Sequence, residues 1–148
     1  MKKLFLAFLL LTLAACTSQN KYSDFDYGFA RSGGISPVYE NLVIKGNRAH
    51  YSLEGRGKKI KKDFLVSQPD LVALETALTE NEFRKIREQY NKLYDNITVE
   101  INVKKGNNSG NKNDNSLIAP QDQQKWDNIV AVFQKIIDQN VKSKLVTK

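Results

Sequence analysis

Between residues 24 and 66 the apolar side chains recur at every second position; between 67 and 93 they recur at every third or fourth. The first spacing matches the alternating faces of a β-strand, the second the turn of an α-helix. Phe25, Tyr27 and Phe29 share one parity over residues 24–32, with Asp24, Asp26, Gly28 and Ala30 on the other. This predicts a strand with one aromatic, buried face. Gly28 and Ala30 leave its opposite face bare, suited to a close neighbour or a bulge. Gly33 and Gly34 are adjacent glycines that permit positive φ and mark a turn before Pro37. A second strand is predicted over residues 38–45 and a third from residue 48, joined by the two-residue hairpin loop Gly46-Asn47. Ala49, Tyr51 and Leu53 define the buried side of the third. After the turn Gly55-Arg56-Gly57, a fourth strand over 58–66 puts Ile60, Phe64 and Val66 on one side. Lys62 falls on that same side, which suits an edge strand or a stem that snorkels to water.

Ser67-Gln68-Pro69-Asp70 has the form of a capping box, with Val66 and Leu71 as its hydrophobic staple. Leu71, Leu74 and Leu78 then follow at helical spacing. Thr79-Glu80-Asn81-Glu82 has the same form, and Phe83, Ile86, Tyr90 and Leu93 predict a second helix in tandem. Ile97, Val99, Ile101 and Val103 alternate with polar residues as a half-buried strand. Residues 106–116 are polar and glycine-containing and are expected to form a mobile loop. Ser116 to Ala119 suit a short strand before Pro120. A last helix over 122–141 carries Trp126, Ile129, Val130, Phe133, Ile136 and Ile137 on its apolar side, and residues 142–148 are expected to fray. The expected fold is α+β: an antiparallel sheet of four N-terminal strands plus one later strand, with three helices packed mainly on one face. The domain is expected to span residues 24–141, with the other sheet face partly polar.

The start of the chain follows a different pattern. Lys2 and Lys3 precede an apolar run, too short to span a bilayer, that ends in Leu13-Ala14-Ala15-Cys16. A basic segment, an apolar core and small residues are the parts of a secretory signal peptide. The last four residues resemble the lipobox of bacterial lipoproteins. That resemblance implies cleavage after residue 15 and acylation of Cys16, the only cysteine. Residues 16–23 are then the lipidated cysteine and a polar tether. Ser18, not aspartate, is the second residue after Cys16, which in that family implies the outer membrane.

The formal charge of the 148-residue chain is +7, with Lys2 and Lys3 leaving with the signal peptide. A mild basic excess suits an anionic surface or an acidic partner. Arg56, Lys58, Lys59, Lys61 and Lys62 concentrate it around one hairpin. An exported domain is not expected to meet nucleic acid. With Cys16 acylated and His50 the only histidine, no thiolate or multi-histidine metal site is expected, and no cofactor box is present. His50 reads as a surface strand residue. Asp24 and Asp26 share a strand face toward water rather than a pocket that separates their pKa values. Asp114 alone among residues 107–115 bears a carboxylate, short of a calcium loop.

Phe29-Ala30-Arg31-Ser32-Gly33-Gly34-Ile35 resembles the strand-end segment of emfourin-like proteins, small α+β proteins whose namesake inhibits thermolysin-type metallopeptidases. The resemblance implies a partner-binding turn at Arg31, Ser32, Gly33, Gly34 and Ile35, with a peptidase as the partner. The first functional expectation is therefore an envelope lipoprotein, anchored through Cys16, that acts as a non-enzymatic protein-binding module. A structural or assembly lipoprotein is the alternative, and a hydrolase the third reading.

Overall fold

The computed structural model describes residues 23–90 and 96–142. The expected signal peptide, Cys16, most of the tether, Leu93 and residues 143–148 lie outside them. Six strands form one antiparallel sheet: β1 (Tyr27–Gly33), β2 (Val38–Lys45), β3 (Arg48–Gly55), β4 (Lys58–Leu65), β5 (Ile97–Val103) and β6 (Gly110–Asn113). Their spatial order is β4-β3-β2-β1-β5-β6, so β1 is hydrogen-bonded on both sides and β4 and β6 are the edges. Two α-helices, α1 (Gln68–Glu80) and α2 (Gln123–Ile137), cover one face.

Register explains which residues are covered. Tyr27, Phe29, Leu42, Ile44, Ala49, Tyr51, Ile101 and Val103 fall on the helix side and are buried. The Phe29 and Phe133 rings stack there with centroids 5.2 Å apart, joining the central strand to α2. Trp126, Ile129, Ile136 and Ile137 extend this apolar stripe of α2, while α1 contributes Leu74, Ala77 and Leu78. Lys62 lies on the inner face of edge strand β4, and its Nζ donates to the Asn140 carbonyl at 2.7 Å. A cation at the carbonyl end of a helix is favourably placed.

The α+β class holds, with corrections to its parts. The N-terminal strand starts later than expected: Phe25 precedes β1 and packs over Gly28 on the opposite face. A Cβ at Gly28 would lie 3.1 Å from the Phe25 ring. The bare position thus accepts a neighbour from its own chain.

The second tandem helix does not form over the described residues. Asn81 caps α1, both its backbone N–H and its Nδ2 bonding the Ala77 carbonyl. Glu82 then takes φ +50°, which ends the helical path. Phe83–Lys85 makes one 3₁₀ turn and the chain runs on extended, with Glu88 bridging Ile118. Phe83 and Ile86 are still buried, whereas Tyr90 is 95% exposed. The apolar spacing served a tight turn and a bridge rather than a helical stripe. Thr79 does not cap; its hydroxyl accepts from Asn108 Nδ2 at 2.9 Å.

Residues 106–116 are more ordered in pattern than a loop. Gly110–Asn113 pairs with β5 as β6, and Asp114 Oδ1 accepts from the Val99 N–H at 2.7 Å. Ile118 contributes a single bridge rather than a strand. The last helix ends as α2 at Ile137, and Asp138–Lys142 continues it as a wider π turn.

Candidate protein-binding surface

The expected contact residues end up at one end of the sheet, on different sides of it. Arg31 has helix-side parity; its Nη1 donates to Glu40 Oε2 at 3.1 Å and to Gln134 Oε1 at 3.4 Å. Tyr51 donates to the other oxygen of Glu40 at 2.7 Å. Glu40 is 6% exposed, and these two donors satisfy its carboxylate. Burial, and then the Glu40 carboxylate, push the Tyr51 phenol above its ordinary range. Arg31 therefore ties β1 to β2 and α2. Ser32 is exposed on the uncovered face.

Gly33 and Gly34 have φ of +105° and +87°. A Cβ at Gly33 would stand 2.5 Å from the Asn96 carbonyl oxygen, so the position has neither the dihedral nor the space for a side chain. The two glycines turn the chain sharply and leave Ile35 at the tip, 92% exposed.

The uncovered face has two hollows. One, of about 270 Å³, lies over Ala30, Asn41 and Ser52, beside Tyr39, Lys59 and Lys61. Small side chains on the three inner strands form its floor. Tyr39, 61% exposed, and the two lysines rise around it. The other, larger at about 700 Å³, lies toward the opposite end and includes Phe25, Val43, Arg48, His50, Asp63 and Leu65. His50 Nδ1 and Asp63 Oδ1 meet there across β3 and β4.

Sequence reasoning missed Tyr39 and this small-residue floor. The signal was available as shared parity: Ala30 pairs Asn41, Asn41 pairs Ser52 and Ser52 pairs Lys61. Asp24 and Asp26 both ion-pair Lys45, at 2.8 and 3.2 Å, and Asp26 also accepts from the Gly46 N–H. This pins the β2–β3 hairpin to the start of the domain. Among the described residues no cluster of three or more His, Cys, Asp or Glu side chains is suited to hold a metal ion. No described helix is long and apolar enough to cross a membrane. Compared with known protein-family models and with curated proteins, the chain matches none.

Proposed function

We propose that this chain is a bacterial envelope lipoprotein, held on the outer membrane by acyl chains on Cys16, and that its domain binds another protein without catalysing a reaction. The observation that carries the reading is the placement of Ile35. Ser23, the first described residue, lies beside the end of the sheet where Tyr27, Ile44 and Val103 align, its carbonyl accepting from Lys104 Nζ. Ile35 stands at the opposite end, where Gly33, Val38 and Ile97 align, on a turn that two left-handed glycines make sharp. A bare isoleucine so presented is suited to enter a cleft on a partner, since exposed apolar side chains gain most from burial at an interface. The resemblance of residues 29–35 to a metallopeptidase-inhibitor segment makes a peptidase the partner to try first.

Titration of the lipidated protein against a panel of thermolysin-type metallopeptidases tests this. Inhibition that weakens by about tenfold or more in Ile35→Asp is expected, the change for a central apolar anchor. No inhibition across the panel, and no envelope protein whose capture depends on Ile35, would overturn it.

A further inference from the structure

Charge is distributed unevenly along this sheet. Arg56, Lys58, Lys59 and Lys61 crowd the β3–β4 hairpin, and the only carboxylate ion-paired with any of them among the described residues is Glu54, 3.3 Å from Lys59. Two rows cross the uncovered face there. In one, Ser32, Tyr39, Glu54 and Lys59 lie side by side on four strands; in the next, Ala30, Asn41, Ser52 and Lys61 do. The small residues of the second row leave the hollow of about 270 Å³ beside the exposed Tyr39 ring. A basic rim, an aromatic surface and a shallow floor form one continuous patch.

Two kinds of anionic partner fit a basic patch, a lipid surface or an acidic polypeptide, and the position of the tether favours the second. Seven residues of β1 separate the end near Ser23 from the end near the hairpin, about 20 Å at the usual rise per residue. The potential of a charged leaflet decays over about 8 Å at physiological salt. With the acyl chains at the Ser23 end and the strands upright on the membrane, the hairpin stands beyond the reach of the headgroups.

We infer that the uncovered face around Tyr39, Lys59 and Lys61 binds an acidic, extended segment of a partner protein, with carboxylates on the lysines and an apolar residue against Tyr39. This inference rests on the binding-module reading above and names the chemistry of the partner.

The test uses the full lipidated chain in phosphatidylcholine nanodiscs. The probe is a fluorescent dodecapeptide alternating glutamate and serine with one central tyrosine, followed by anisotropy. Binding that weakens as salt is raised is expected. Lys59→Glu with Lys61→Glu should weaken it at least about tenfold, as opposing charges replace attracting ones. Lys59→Gln with Lys61→Gln should give an intermediate loss, and Arg48→Glu, at the tethered end, should leave it unchanged. Equal binding by wild type and the Lys59→Glu, Lys61→Glu variant overturns the inference. So does hairpin-dependent bridging to phosphatidylglycerol vesicles without peptide binding, which would assign the patch to lipid. Ile35-dependent capture of a partner by a chain that ignores the peptide would remove the acidic segment alone and leave the binding module standing.

Discussion

Gly33 and Glu40 show how differently single residues hold this end of the sheet. At Gly33 the constraint is steric: φ is +105° and the Asn96 carbonyl occupies the space of a Cβ. At Gly46 φ is also positive, +58°, but nothing lies within 4 Å. Gly33→Ala is therefore expected to cost about 2 kcal/mol or more, since strain and overlap add, and Gly46→Ala about 1 kcal/mol from the left-handed dihedral alone. Urea unfolding of the two variants compares them directly; equal losses would show that the Asn96 contact contributes nothing. Glu40 is held by chemistry instead. Glu40→Ala strands the buried Tyr51 hydroxyl and leaves Arg31 with Gln134 and water, and a loss of about 2 kcal/mol is expected from the unmade hydrogen bonds. Glu40→Gln keeps an acceptor for Tyr51 and should lose less, measured in the same way.

At the scale of elements, strands whose alternation was clean were legible, and segments governed by a single dihedral were not. The alternation of Ile97, Val99, Ile101 and Val103 located β5, and Gly46-Asn47 located the β2–β3 hairpin, because each pattern has one economical structural solution. The spacing of Phe83, Ile86 and Tyr90 had two. A helix and a 3₁₀ turn followed by extended chain both bury the first pair; the left-handed Glu82, a tertiary outcome, chose between them. Strand β6, Gly-Asn-Lys-Asn, carries no apolar signal at all and exists through its pairing with β5. For the binding surface, the turn was legible from its glycines, but Arg31 was not legible as a tie, since its partner Gln134 lies on the far helix.

Glu82 also joins elements. Its carboxylate meets Lys125 on α2 and Lys85 on the 3₁₀ turn, both at 2.6 Å. The hydrogen bonds to Lys125 and then Lys85 hold its pKa at about 2, well below the ordinary glutamate range. A depressed carboxyl stabilises the fold above its unfolded pKa and loses that contribution as pH falls. Part of the acid destabilisation of this protein, between pH about 4.5 and 2, is thus expected to vanish in Glu82→Gln, read from melting temperature against pH. An unchanged profile would show that the bridge is too well solvated to matter.

Over the described residues the decisive arrangement is polarity from end to end: Ser23 lies at one end of the strands, beside Lys104, and Ile35, Arg56 and Lys58 lie at the other. If Cys16 carries the anchor, Cys16→Ser should move the protein from the membrane to the soluble fraction while leaving its melting temperature unchanged. Mass spectrometry of the wild-type N-terminus would show the added acyl chains. An unmodified Cys16 would end the lipoprotein reading without touching the turn or the basic hairpin. There is a mechanical corollary of β1 lying in the middle of the sheet, with β2 on one flank and β5 on the other. Tension between an anchored N-terminus and a partner gripping the far turn would run along the covalent backbone of that one strand, leaving the hydrogen-bond ladders on both flanks without an opposing pull. Such a strand would work as a tensile member, so a pull between those two points would not by itself peel the sheet apart.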